Sequence, residues 1–295
     1  IDAFQGSSAW RKLADSTKRE YTRIFKIVRK KYGSLTFPGL EDREFRKDVL
    51  EWRDEHAVIA PREADYRVTA IARVLAWATD RGPLHVNVLA NIDRAYKSDR
   101  SDKIWLPEHV TAFMNVAGDE MKLALVLALH TGQRQGDILT LPWSAYDGER
   151  IRVRQRKGKK FVRVKCTAAL KATLDGLTAK SPLILTTKTG RAFKKRYFAR
   201  QWEAACQAAG IEDDLHFHDI RGTTVTLLFQ GGCTLGEIVP VTGHSLRRAQ
   251  DILDKYLART SELADIAIAK FENVMETVFA NHAANRPLKF TGKSS

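Results

Sequence analysis

The 295-residue sequence is poor in cysteine, in acidic residues and in long apolar runs, and each shortage narrows what the chain can be. Its three cysteines, Cys166, Cys206 and Cys233, are odd in number and share no C-x-x-C spacing, so neither a disulfide framework nor a cysteine zinc site is indicated. A reducing cytosol fits that usage. The longest strongly apolar run, Leu123 to Leu129, is closely flanked by Lys122 and His130 and falls far short of the roughly 20 residues that cross a bilayer. A soluble chain with no membrane partner is expected. No basic, apolar leader opens the sequence, and its start at Ile1 rather than Met leaves room for an upstream module. Acidic residues number 35 against 49 Lys and Arg, a formal net charge of +14. That excess is more than solubility requires and suggests a polyanionic partner, because a basic surface gains free energy by releasing counterions from phosphates.

What is present is enough apolar residue, 44%, to bury sizeable cores, and two domains are expected. Thr17-Lys18-Arg19-Glu20 has the pattern of a capping box, followed at helical spacing by Tyr21, Ile24, Phe25, Val28 and Tyr32 up to Gly33. Lys18, Arg19, Lys26, Arg29 and Lys30 occupy the other face of that helix. Further helices are predicted from Arg43 to about Glu55 and from Asp65 to Asp80, so residues 1–97 form a small helical bundle. The stretch Tyr96 to Lys103, "YKSDRSDK", is polar and without periodicity, as a linker between domains is.

Pro107 suits the first turn of a new helix, and Met121 to His130 is apolar all round, hence a helix buried in the second core. Gly132 in "TGQRQGDIL" should break it. From Gly148 the period changes to two: Ile151 and Val153 alternate with arginines, the chain turns at Lys157-Gly158, and it returns through Phe161, Val162 and Val164. This hairpin carries nine basic residues and no acid between Arg150 and Lys165. Helices are predicted over 193–209, 218–231, 234–241, 245–255 and 261–280, with residues 281–295 as a flexible tail.

The stretch "HFHDIRGT", residues 216–223, concentrates chemistry and admits three readings. His216 and His218 alternate like zinc ligands, although Arg221 would bring a fixed cation about one helical turn from His218. His218 and Asp219 could instead merely cap the following helix. Or His218 and Arg221, at i and i+3, could donate to the oxygens of one phosphate, for which a planar, permanently charged guanidinium is well suited. The phosphate reading needs further cations and a nucleophile, and suitable residues follow in order. Arg134 lies at the glycine-marked break, Lys157 at the hairpin tip with Lys159 and Lys160 beside it, His244 after Gly243 at a helix N-terminus, and Tyr256 at the end of that helix. Taken singly each is ordinary: a surface arginine, a solvated turn lysine, a loop histidine, a core tyrosine.

Together, "TGQRQGDILTLPW", the basic hairpin, "HDIRGT", "TGHS" and the following tyrosine resemble, in order, the signature of the tyrosine recombinases of the phage integrase family. The resemblance covers roughly residues 98–275. It implies a mainly α protein with an α+β catalytic domain: a helical core DNA-binding domain over 1–97, then a helical catalytic domain over 98–280 that carries a small antiparallel hairpin. Arg134, Lys157, His218, Arg221, His244 and Tyr256 take the catalytic positions, Tyr256 as nucleophile, and Asp137, three residues after Arg134, an acidic position that buttresses the site. Arg154, Arg156, Lys159, Lys160, Lys194 and Lys195 are expected to meet DNA.

The chemistry implied is attack by the tyrosine oxygen on a phosphodiester, giving a 3′-phosphotyrosyl link and a free 5′-hydroxyl, then reversal by a second strand. An unperturbed tyrosine has a pKa of about 10, so attack near neutral pH needs local cations and a proton acceptor. No metal or cofactor is needed, because the covalent link conserves the bond's free energy. Double-stranded DNA with a specific recombination site is the implied partner, with a homotetramer assembled on it and an accessory DNA-bending or directionality factor beside it. The apolar stripe Leu263, Ile266, Phe271, Val274 and Val278 of the last helix packs either on its own domain or on a neighbouring protomer. Two other readings compete: a type IB topoisomerase, with the same side-chain chemistry but no specific site, and a regulator using "TLGEIVPVTGHSLRRAQDIL" as a helix-turn-helix.

Overall fold

A computed structural model describes residues 1–82, 84–96, 100, 102–257, 262–278 and 280. The chain divides into two compact units, Ile1–Ser98 and Asp99–Ser295.

The first unit is helical: α1 (Asp2–Gly6), α2 (Ser8–Arg11), α3 (Asp15–Tyr32), α4 (Phe37–Leu40), α5 (Arg43–Ala57) and α6 (Pro61–Arg81). Tyr21, Ile24, Phe25, Val28 and Tyr32 of α3 are buried as their spacing predicts, against Phe4, Phe45, Val49, Val68, Ile71 and Leu75. The capping box at Thr17 is not used. α3 begins two residues earlier, at Asp15, with Ala14 in the capping position and no side-chain cap. The acidic Asp15 in the first turn complements the helix dipole there and pairs with Lys18 at 3.7 Å. α6 likewise starts ahead of its predicted Asp65, because Pro61 is pre-organised for the first helical turn.

In the second unit, α7 (Pro107–Val116), α8 (Asp119–Thr131) and the single turn α9 (Gln135–Ile138) precede the hairpin β1 (Arg150–Arg154) and β2 (Phe161–Lys165). The strands pair antiparallel with Ile151 opposite Val164 and Val153 opposite Val162. All four of these residues are buried, while the intervening arginines point to solvent. Phe161 sides with the arginines: it is 67% exposed, and the Arg154 guanidinium lies 5.8 Å from its ring centre.

A helix that no periodic run announced follows, α10 (Ala168–Asp175), started by Thr167, whose Oγ1 accepts the Leu170 N–H at 3.2 Å. Then come α11 (Lys195–Ala208), α12 (Ile220–Gln230), α13 (Leu235–Thr242), α14 (Leu246–Leu257) and α15 (Glu262–Val278). The main core joins Phe113, Leu125, Leu127, Ile151, Leu170, Phe198, Trp202 and Phe217. A separate cluster of Val225, Ile238, Ile252 and Leu253 locks α12, α13 and α14 together. The predicted helix over 218–231 begins only at Ile220, because Phe217–Asp219 forms a tighter 3-10 turn. On α15 the described apolar side chains Ile268, Phe271, Val274 and Val278 are exposed; those of Leu263 and Ile266, like residues 281–295, lie outside the described ones.

The linker stretch is anchored within each unit. The Tyr96 N–H donates to Asp65 Oδ2 at 2.9 Å, and Arg100 pairs with both Asp214 and Asp219. No described helix is long and apolar enough to cross a membrane.

Candidate active site

Four segments meet where α8 ends. Gly132 turns left-handed at φ 62° and closes α8; a Cβ there would lie 3.0 Å from the Thr242 methyl carbon, so only glycine lets the two segments approach this closely. Its carbonyl is thereby turned toward Arg221. The Arg221 Nη1 donates to the carbonyls of Gly132 and Thr242, and its Nε donates to His244 Nε2 at 3.1 Å. All these acceptors are neutral. No carboxylate among the described residues pairs with this guanidinium, which is 2% exposed, and its Nη2 is buried without a partner.

An unpaired buried cation is costly, and burial, with the nearby Arg134 charge second, depresses the Arg221 pKa to about 9, partly opposed by Asp137. At neutral pH it is still protonated. The fold thus holds a desolvated positive charge with one donor nitrogen left over, which is the electrostatic complement of an anion's oxygen.

His244 is fixed by the same contact. Arginine Nε carries a hydrogen, so the histidine Nε2 must be the acceptor, and Nδ1 carries the proton toward Thr242 Oγ1 at 3.0 Å. Burial first, then Arg221 and Arg134, push the His244 pKa down to about 3. Its Nε2, which the sequence placed at a phosphate oxygen, is occupied by Arg221 in this arrangement.

Arg134 stands half-buried at the start of α9, its Nη1 donating to Gln155 Oε1 at 3.2 Å. Asp137 is buried nearby, and its Oδ1 accepts the Arg156 N–H at 2.9 Å, which ties the turn after β1 to the arginine loop. Its Oδ2 is buried and unpartnered. His218, in the 3-10 turn, is exposed; partial desolvation first, then Arg221, lower its pKa.

The hairpin lysines are outside this cluster. Lys157, Lys159 and Lys160 are all exposed in a turn where Gly158 and Lys159 both have positive φ. Arg154 and Arg156 are exposed on the hairpin, and Lys194 and Lys195 on the start of α11. Tyr256 is half-buried beside a cavity of about 280 Å³ whose lining includes Lys103, His109 and Asp213 but none of Arg134, Arg221 or His244. Its hydroxyl accepts from Gln230 Nε2. Gln230 is nine residues from Arg221 on α12, about 13 Å of helical rise.

His216 is exposed and faces Asp214, 3.1 Å away, and among the described residues no group of three His, Cys, Asp or Glu could hold a metal ion. Asp219 pairs with Arg100 through Nε at 3.1 Å and Nη2 at 2.6 Å and accepts the His216 N–H at 2.7 Å. That bidentate pair steadies the 3-10 turn from which His218 and Arg221 depart. Arg100, Gln133, Gln155 and Thr242 were not among the candidates. Gln155 had a signal: it continues the inward parity of Ile151 and Val153, so a polar residue was bound for the interior.

The phage integrase family model matches residues 106–262, more than half of the chain, including Arg134, Lys157, His218, Arg221, His244 and Tyr256. The chain belongs to the phage integrase family. A shufflon-specific DNA recombinase of Escherichia coli is 31% identical over 143 residues, 44% of this chain and 32% of that protein. An integrase of Mycobacterium phage FRAT1 is 26% identical over 209 residues, 59% of this chain and 62% of that protein. The matched parts thus cover about a third and under two thirds of these relatives. Among solved structures, a lambda integrase dimer bound to a core site superposes with a TM-score of 0.67 at 18% identity, over 85% of this chain and 93% of that one. The Tn1549 transposon integrase in complex with transposon end DNA gives 0.69 at 13% identity, over 89% and 97%. At such identities these two likenesses speak to the fold: this family member has the integrase architecture, mostly helical with one small antiparallel sheet. The comparisons favour neither the topoisomerase nor the regulator. The segment taken for a helix-turn-helix is built into the second unit, with Ile238, His244, Ile252 and Leu253 buried.

Proposed function

We propose that the chain is an integrase-type site-specific DNA recombinase, cleaving and rejoining DNA through a 3′-phosphotyrosyl intermediate during integration or excision of a mobile element. The observation that carries this reading is the buried Arg221 guanidinium, held by neutral acceptors with one donor nitrogen unclaimed. Such a charge is preorganised for a non-bridging phosphate oxygen, and so need not reorient as charge develops on the pentacovalent phosphorus.

Arg134 completes the clamp. Tyr256 Oη attacks phosphorus, its proton passing to His218, whose lowered pKa leaves it neutral and able to accept. The P–O5′ bond breaks as Lys157 delivers a proton to the leaving oxygen. His244 and Asp137 hold Arg221 and the hairpin in register. Before attack, the Tyr256 hydroxyl exchanges Gln230 for the scissile phosphate, which requires the end of α14 to move.

In this reading residues 1–97 form the core DNA-binding domain and residues 98–280 the catalytic domain. Arg154, Arg156, Lys159, Lys160, Lys194 and Lys195 neutralise the duplex backbone. The exposed apolar face of α15 docks on a neighbouring protomer in a tetramer on DNA, and an accessory DNA-bending or directionality factor selects the outcome. The protein acts at the nucleoid of a bacterial cytoplasm.

The test mixes the chain with sheared genomic DNA of its source in EDTA. An SDS-resistant protein–DNA adduct is expected, and Tyr256→Phe should form none. Metal-dependent cleavage without an adduct, or relaxation of any plasmid without a recoverable site, would sink the reading.

A further inference from the structure

One of the most deeply buried polar side chains around the clamp belongs to none of the catalytic candidates. Gln155, 1% exposed, sits just past β1 and two residues before Lys157. Its Nε2 donates to Gln133 Oε1 at 2.8 Å and to the Thr242 carbonyl at 3.0 Å, and its Oε1 accepts from Arg134 Nη1 at 3.2 Å. Its own N–H donates to the Lys160 carbonyl at 2.8 Å, closing the hairpin loop that carries Lys157.

The amide's orientation is forced by its neighbours. Gln133 Nε2 donates to the carbonyls of Thr131 and Val241, at 2.8 and 2.9 Å, so Gln133 must present its oxygen to Gln155. Gln155 must answer with its nitrogen, which leaves its oxygen for Arg134. The Thr242 carbonyl it touches also accepts from Arg221. The next residue, Gly243, is left-handed at φ 69°, and a Cβ there would lie 2.2 Å from Gln155 Nε2, so the turn presenting His244 closes directly onto this amide.

We propose that Gln155 is a positioning residue for phosphodiester cleavage: its carboxamide aims Arg134 at the phosphate without cancelling its charge, and ties the Lys157 hairpin to the Thr242–His244 turn. The inference rests on the recombinase reading above. The physical point is that a carboxylate would orient Arg134 equally well, but it would neutralise the cation that the phosphate needs. An amide supplies the acceptor with no charge, and its two donors fasten two further segments.

Gln155→Glu, of the same size, separates this from a merely structural role. Ionised, the new carboxylate pairs with Arg134; protonated, it keeps a neutral acceptor for Arg134 and offers one O–H donor where the amide has two, so one of the Gln133 and Thr242 contacts remains. Burial against the Gln133 and Thr242 oxygens favours the protonated form as pH falls. The substrate is the duplex recovered from the adduct of the unsubstituted chain, and the readouts are the single-turnover adduct rate and the equilibrium affinity for that duplex. The expected result is an adduct rate reduced about a hundredfold near pH 8 and recovering to within about fivefold near pH 6, relative to the unsubstituted chain at each pH. Duplex affinity should stay within about threefold. Gln155→Met, which cannot titrate, should show a loss without the recovery. A Gln155→Glu rate equal to the unsubstituted rate at every pH, or a loss with no recovery that tracks loss of folded protein, overturns the proposal. If the unsubstituted chain forms no adduct, the recombinase reading itself has failed; if it does and the variant matches it, only the role of Gln155 has.

Discussion

The Arg221–His244 cluster and the Lys157–Tyr256 pair are built on opposite principles. In the cluster, each donor nitrogen of Arg221 but one is claimed, two backbone carbonyls are turned inward by Gly132 and the Thr242 turn, and both pKa values are displaced by burial. Lys157 is exposed at a glycine-containing turn, and Tyr256 hangs at the end of an amphipathic helix with its hydroxyl on an exposed glutamine. The difference teaches a division of labour. On the proposed mechanism, groups that stabilise charge gain from a fixed, dry setting, where reorganisation has been met by folding, whereas groups that deliver a nucleophile or a proton travel to the substrate.

The sharpest way to break that comparison is Arg221→Lys. An ammonium cannot hold two carbonyls and His244 while offering a further donor, so the adduct rate should fall about a hundredfold to a thousandfold, at the scale of one lost preorganised donor. Near-normal cleavage would mean that the clamp is not where the phosphate sits.

Lys157→Ala should follow, with a loss of about a hundredfold that is rescued when the leaving 5′-oxygen of the substrate is replaced by sulfur, a leaving group needing no proton. Lys159→Ala and Lys160→Ala should instead weaken DNA binding, flatten its salt dependence and leave the single-turnover rate little changed. If sulfur rescues one of those two and not Lys157→Ala, the acid is a different lysine of the same turn.

A smaller effect concerns stability. The folded His244 pKa of about 3 lies below the ordinary 6.5, so the neutral histidine's contribution is present above about pH 6.5 and is lost as pH falls toward about 3. A tenfold change in proton affinity corresponds to about 1.4 kcal/mol, and the whole window to at most a few kcal/mol. His244→Gln, which keeps an acceptor for Arg221 but does not titrate, should show a shallower acid dependence of Tm. An unchanged slope would place the sensitivity elsewhere.

Removal of residues 261–295 should have the mildest effect, weakening assembly on paired sites severalfold while single-site binding is retained. Equal loss of both in a gel-shift titration would mean that α15 packs on its own unit.

Much of the site was legible because its signals are local. A glycine before Arg134, the i, i+3 pair in "HDIRGT" and the glycine before His244 each mark a break or turn in the chain that carries a polar side chain. The two-residue period of the hairpin set its register, since one slip would turn Ile151 and Val153 outward. Helix starts were less legible: Asp15 and Pro61 began α3 and α6 ahead of the apparent caps, and Thr167 began a helix that no long periodic run announced.

Sequence alone determined the two helical regions and the basic hairpin, and put forward the candidate cations and nucleophile, because periodicity and residue chemistry are properties of short stretches. Only the tertiary structure decided that His244 faces Arg221, that Asp137 holds the hairpin, that Arg100 braces Asp219 and that Gln155 joins three segments. Those contacts link residues 19 to 119 positions apart, and they exist because a buried donor or acceptor must find a partner among whatever backbone packing brings within reach.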